Sequence, residues 1–376
     1  MNKILICLQS KYPTNKAYGV TTRYTARELT SLGFDVSILA KSSVNFDESE
    51  NQIINNYNIK LNFLQKFPKT QFTFATILTF FKIINLSFRS EGKIGILWVR
   101  DPILACAALL NKKIDFAFIE IHHIPQKLRL IVLKYIMNFK KIQIGAITPN
   151  GANTLNKLKP SKKIHLTQMA IPNEFITQAI PKKKIFSGVI GFIGKATSSG
   201  VDNGLIQLIT DFVYCKRNGQ NIKLILIGIE DNFREVLINS FTIEFLKKTE
   251  VEILGHLSHD QILEFIDTID VGVVPYPEND YHAQRFPIKI LELASRKVAL
   301  LLSDTAAHRD LLNDDLALFY IPGKPDTLFN GISNCIFNDS SQNDRIIAAW
   351  NWARSHTYRQ RVASVIEELS HKEHLS

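Results

Sequence analysis

Short apolar runs rich in Ile, Val, Leu and Phe alternate with longer amphipathic stretches along almost the whole chain, and this rhythm narrows the folding options most. A short run of β-branched and aromatic residues bounded by polar turns reads as a strand. An amphipathic stretch between two such runs reads as the crossover helix of a βαβ unit, which predicts parallel sheets. The rhythm occurs twice. In the first half, strands are expected near residues 4–8, 36–40, 94–99, 116–121 and 142–147; in the second, near 189–193, 224–227, 251–254, 271–274 and 298–302. Between them, residues 170–184 carry Pro172, Pro181 and three consecutive lysines, the composition of an exposed connection. At 376 residues the chain exceeds one ordinary core. The predicted organisation is a first α/β domain over 1–182, a second over 183–345, and a helical tail over 346–376 that packs back toward the first. No internal repeat is visible, which removes solenoids and propellers.

With 45% hydrophobic and 21% charged residues, both halves belong among globular proteins. Cys7, Cys106, Cys215 and Cys335 show no paired spacing, so neither a disulfide framework nor a zinc site is expected, and a reducing compartment fits. The apolar start is broken by Gln9, Ser10 and Lys11, too short for a secretory signal, and no apolar run reaches the length of a membrane span. The net charge of +10 is uneven: residues 1–182 hold 25 Lys and Arg against 10 Asp and Glu, whereas residues 183–376 hold 20 against 25. The basic half is expected to face something anionic: nucleic acid, a phospholipid surface or a phosphorylated acceptor. Nucleic acid is set aside, because no recognised binding motif occurs and few aromatics lie among the arginines.

In open parallel sheets, ligands bind beyond the carboxyl ends of the strands, where helix N-termini present backbone N–H groups. Three loops qualify. Residues 9–20 follow the first strand and end in Gly19 and Val20, ahead of a helix expected to start near Thr21 or Thr22. A glycine there fits a ligand approach or a plain turn. No G-x-G-x-x-G occurs, so the dinucleotide fingerprint is missing. The second loop, 194–200, holds Gly194, Lys195 and three small hydroxyl residues, a composition that suits a diphosphate and equally an ordinary surface loop. The third, 275–294, leads into a helix expected around Pro287, with Lys289 and Glu292 three apart on one face, which is also the spacing of a surface ion pair.

From Val251, the text Val-Glu-Ile-Leu-Gly-His-Leu, then Ile-Asp-Val-Gly-Val-Val-Pro, then Phe-Pro-Ile-Lys-Ile-Leu-Glu-Leu-Ala resembles, in order and spacing, the donor half of GT-B glycosyltransferases, family 4 in particular. Gly19–Val20, Trp98–Val99–Arg100–Asp101–Pro102 and Glu120–Ile121–His122 resemble the acceptor-side segments. The resemblance implies an α/β GT-B fold, two Rossmann-like doubly wound domains facing across a cleft. It implies a cytoplasmic enzyme, free or peripheral on the inner face of the cell membrane. Its reaction would move a hexose-like sugar from a nucleotide-sugar donor to a glycan or lipid-linked acceptor, with retention, in bacterial surface polysaccharide synthesis. By the same resemblance Glu292 holds the ribose hydroxyls and Lys195, beside Gly194, the diphosphate. Arg285 or Lys289 would stand in for a second loop cation, absent at Ser199. His256 and Phe286 complete the donor side, and His122 meets the donor sugar. Gly19, Val20 and Arg100 serve the acceptor. No cofactor and no metal are implied, since basic side chains and a helix N-terminus replace the divalent ion. One position departs: Gln284 stands where the family has its first glutamate. An amide can hydrogen-bond sugar hydroxyls but is neither charged nor a base. That departure motivates the alternative of a degenerate GT-B module that binds a glycan or a partner without turnover.

Residues 126–141 predict a basic amphipathic helix, with Lys127, Lys134, Asn138 and Lys141 on one stripe and Leu128, Val132, Ile136 and Phe139 on the other. The lysines lie on an anionic membrane or are merely solvated while the apolar stripe covers the sheet. Residues 67–89, with Phe72, Phe74, Phe80, Phe81 and Phe88 among cations, are a second candidate surface or core.

Overall fold

A computed structural model describes residues 3–14, 17–42, 54–64, 79–83, 93–177, 186–198, 200–257, 259–336 and 340–370. The chain divides into two compact units, Met1–Ala170 with Tyr358–Ser376, and Ile171–Thr357. The boundary expected near residue 182 lies outside the described residues, as does most of the 67–89 segment.

The first unit is built on strands β1 (Lys3–Tyr12), β2 (Asp35–Ser42), β3 (Lys60–Leu64), β4 (Ile94–Val99), β5 (Ile114–Ile121), β6 (Ile142–Ala146) and β7 (Ile164–Leu166). They form one parallel sheet in the order β3-β2-β1-β4-β5-β6-β7. Side chains alternate across each strand, so a strand buried on both faces supplies two cores. Leu5, Cys7, Leu97 and Val99 face helices α2 (Pro102–Leu110), α3 (Lys127–Ile136) and α4 (Pro149–Leu158). Ile4, Ile6, Ile96 and Trp98 face α1 (Ala17–Ser31) and, from the end of the chain, α13 (Tyr358–Ser370).

The second unit carries β8 (Val189–Ile193), β11 (Lys223–Ile227), β12 (Val251–Leu254), β13 (Val271–Val274), β14 (Ala299–Ser303) and β15 (Leu318–Tyr320), all parallel, in the order β12-β11-β8-β13-β14-β15. A two-stranded hairpin, β9 (Thr197–Ser198) with β10 (Val201–Asp202), follows β8. The helices are α5 (Leu205–Arg217), α6 (Asp231–Phe241), α7 (Ile243–Lys248), α8 (His259–Ile266), α9 (Ile288–Ser295), α10 (Ala306–Leu311), α11 (Pro325–Ile336) and α12 (Ser340–Arg354). The predicted tail helix is two helices: α12 packs on α9 in the second unit, and α13 packs on α1 in the first.

Two local expectations need correction. Helix α1 starts at Ala17, so Gly19 sits within its first turn, where a Cβ would come 2.2 Å from the Thr14 carbonyl oxygen. Close backbone approach is what demands glycine there. On α3, Leu133 and Ile136 are buried against the sheet, whereas Leu128 and Phe139, predicted to face it, are exposed. Lys141 leaves the lysine stripe and donates inward to the carbonyl oxygens of Ala108 at 3.4 Å and Ile114 at 2.9 Å.

Candidate functional site

In the second sheet the chain winds outward in opposite directions from β8 and β13, which makes the carboxyl ends of these two strands the topological switch point. The stretch that runs on from the 194–200 loop meets the 275–294 loop there. Gly204, at φ 86°, lies against β13's end, and a Cβ on it would stand 2.3 Å from the Pro275 carbonyl oxygen. His282, in a short 3-10 turn, reaches back through Nε2 to the Asp202 carbonyl at 3.0 Å and stacks on Tyr276 at 4.8 Å. The β14 loop joins them, since Ser303 Oγ donates to the Tyr276 carbonyl at 2.6 Å and the Ala306 N–H donates to Glu278 at 2.8 Å. Loops after β8, β13 and β14 are therefore tied into one rim.

On this rim Lys195 and Lys289 each sit beside a carboxylate. Lys195, mostly exposed, pairs with Glu230 at 3.0 Å, and Glu230 also accepts from the Ala196 N–H at 3.3 Å. Burial alone would raise the Glu230 carboxyl, but these bonds hold it below its ordinary range. Lys289 and Glu292 pair at 2.7 Å on α9, and the Glu292 side chain is only 7% exposed. The bland reading of this spacing, a solvated surface pair, is thereby replaced by a carboxylate set into the rim. The Arg285 guanidinium lies over the Tyr281 ring at 5.0 Å, and its Nη1 is enclosed without a hydrogen-bond partner among the described residues. Gln284 is half-buried in the 3-10 turn. Phe286 is buried and stacks on Trp352 of α12 at 6.2 Å, anchoring the loop rather than presenting its ring. His256 is exposed past β12, following Gly255, beside which a Cβ would meet open space.

The first unit has its own switch point between β1 and β4. A small concavity there is lined by Cys7, Leu8, Thr22, Thr25, Arg100 and Glu120, among others. Arg100 borders it; Gly19 and Val20 do not, and Val20 packs toward Tyr24 and Tyr358. Glu120 is the centre of a buried charge cluster: Arg361 of α13 lies at 2.6 Å, Arg100 at 3.4 Å, the Trp98 indole N–H at 3.2 Å, and His122 Nε2 is in contact. Burial would raise the Glu120 carboxyl, but Arg361, Arg100 and His122 together hold it well below the carboxylate range. Burial and Arg100 push His122 down to about 4 against the pull of Glu120. The imidazole is then neutral at pH 7, with Nε2–H donated to Glu120 and Nδ1 left as the acceptor. Sequence reasoning named Arg100 and His122 and overlooked Glu120 as their hub and Arg361 as its partner. Arg361 had a signal, an arginine inside the apolar stripe Tyr358, Val362, Val365, Leu369.

His308, buried behind the rim, is pushed down to about 4 by burial, although its Nδ1 bonds the Ser303 carbonyl. An unfolded imidazole titrates at about 6.5, so between there and the folded value the unfolded chain binds more protons. The stabilisation is complete above that upper limit and is lost as pH falls toward the folded value. Urea midpoints of the second unit should therefore drop between neutral and mildly acidic pH, and His308→Gln should flatten that dependence; an unchanged slope would refute a neutral buried His308.

Residues 187–338 match the family model described as glycosyl transferases group 1. The second unit carries a group 1 glycosyl transferase domain. The match contains all three rim loops, with Lys195, Glu230 and Glu292. The whole chain has the GT-B fold of solved glycosyl transferases. A glycosyltransferase from Rickettsia africae ESF-5 aligns with TM-score 0.75 and 14% identity over 98% of each chain. HepE of Anabaena, solved with UDP and glucose, aligns with TM-score 0.70 and 13% identity over 98% of this chain and all of that one. The lipopolysaccharide outer core galactosyltransferase WaaB aligns with TM-score 0.69 and 15% identity over 98% and 99%. No curated protein sequence matches the chain.

Proposed function

We propose that the chain transfers a sugar from a nucleoside diphosphate sugar to a hydroxyl of a glycan or lipid-linked acceptor, with retention, in the building of a bacterial surface polysaccharide. The observation that carries this reading is Glu292, a buried carboxylate at the switch point of a group 1 glycosyl transferase domain. A carboxylate accepts from two vicinal hydroxyls at once, as a ribose offers. Lys195, Lys289 and the enclosed Nη1 of Arg285 supply the positive charge that a departing diphosphate needs, which makes the proposed reaction independent of metal. In the reaction the acceptor oxygen bonds the anomeric carbon, the carbon–oxygen bond to the diphosphate breaks, the nucleoside diphosphate leaves and the acceptor proton is released. Gln284 takes no proton and serves by hydrogen-bonding the sugar. His122, neutral, offers Nδ1 to a hydroxyl in the first unit.

Incubating the protein with donor and candidate acceptors in EDTA is expected to release nucleoside diphosphate only when an acceptor is present. Release abolished by EDTA and restored by a divalent ion would contradict the metal-free reading. Donor binding without release, with every acceptor tried, would favour the degenerate module that Gln284 in place of glutamate brings into view.

A further inference from the structure

Helix α3 is apolar on two sides. Leu133 and Ile136 are fully buried against the first unit's core, and Arg129 is tied inward to Asp101 at 2.8 Å. On the opposite side Leu128, Ile131 and Tyr135 are 60%, 66% and 63% exposed. The stripe continues past the helix end into Phe139, whose ring meets Tyr135 edge-on at 5.3 Å. A helix whose only task is to cover a sheet shows water its polar residues, so large apolar groups at i, i+3 and i+7 on the outside require another explanation. At 100° per residue Lys127 and Lys134 run along one edge of the stripe, and Lys140 stands exposed beyond its end. Leu110, ending the neighbouring helix α2, is 70% exposed, with exposed Lys112 and Lys113 after it.

The charge along this stretch of chain has one sign. Between Glu120 and Glu174 the chain contains no Asp or Glu and nine Lys and Arg. An apolar stripe edged by lysines, without a carboxylate in its own stretch of chain, complements a surface with negative headgroups over hydrocarbon. No helix among the described residues is long and apolar enough to cross a membrane, so the contact would be interfacial.

We propose that the outer face of α3 docks on an anionic phospholipid bilayer, with Leu128, Ile131, Tyr135 and Phe139 entering the interface and Lys127, Lys134 and Lys140 meeting the headgroups. This differs from a contact made by lysines alone, because insertion makes part of the affinity insensitive to salt. The proposal does not depend on the transfer reaction, and its test uses no substrate.

The test is co-sedimentation of the full chain with phosphatidylcholine vesicles, with and without phosphatidylglycerol. The wild-type protein should bind the phosphatidylglycerol vesicles and bind phosphatidylcholine far less. The variant Leu128→Ser/Ile131→Ser/Tyr135→Ser, altered only at exposed positions, should lose about tenfold or more in partitioning. Lys127→Glu/Lys134→Glu should lose the salt-sensitive part. Unchanged urea midpoints establish that both variants fold. Failure of the wild-type protein to bind, or unaltered binding by the serine variant, overturns the proposal. So does a concentration-dependent dimer that the serine variant dissolves, without vesicle binding, since it would assign the face to a second copy of the chain.

Discussion

Replacing Arg361 by methionine is expected to destabilise the first unit by about 3–5 kcal/mol, the cost of leaving a buried carboxylate without its main partner. Arg361 and Glu120 side chains are 4% and 2% exposed, so water cannot take over. Arg100 at 3.4 Å and neutral His122 remain, and they are the weaker partners. Because Arg361 lies on α13 and Glu120 on β5, the loss should extend beyond the helix. Hydrogen exchange in β5 and α1 is expected to quicken on the order of a hundredfold or more, while the second unit keeps its protection. Equal exchange in wild type and variant would mean that Glu120 is not ionised in the folded protein.

The second large effect concerns the donor. Glu292→Ala is expected to weaken nucleotide-sugar binding by at least ~1.5 kcal/mol, about tenfold, the lower bound for hydrogen bonds to a charged group. Lys289 also loses its partner at 2.7 Å, so Glu292→Gln is the necessary companion. Glutamine keeps the volume and removes the charge, and it should weaken binding less than alanine does. Calorimetry on both variants separates loss of the ribose contact from loss of the fold. Full affinity in folded Glu292→Ala would remove Glu292 from the site.

Much of the fold was legible because the central strands are buried on both faces and read as continuous apolar runs. β4, β8 and β13 coincide with the predicted segments, and so does β12, a four-residue edge strand without an unbroken apolar run. The strands that escaped are short or at edges: β3, β7 and β15 hold five, three and three residues. The β9–β10 hairpin is made of two-residue strands from a sequence that reads as plain loop. Site residues followed the same logic. Lys195, Lys289 and Glu292 stood out because strand ends and a helix start could be placed, whereas Glu230 and Arg361 act on residues 35 and 241 positions away in the chain. Such pairings are made by the fold and leave little local trace. The exposure of Leu128 was misjudged for a related reason: a helix with apolar residues on two opposite sides does not show by periodicity which of them faces the core.

In the proposed function the second unit holds a nucleoside diphosphate sugar at Glu292. The most direct test is calorimetric titration of the purified chain, without metal, with UDP, GDP, ADP and CMP and their sugar conjugates. Binding of one nucleotide and its sugar conjugate in preference to the others, weakened about tenfold in Glu292→Ala, is the predicted result. Absence of binding by every nucleotide, or equal binding in the variant, would contradict it.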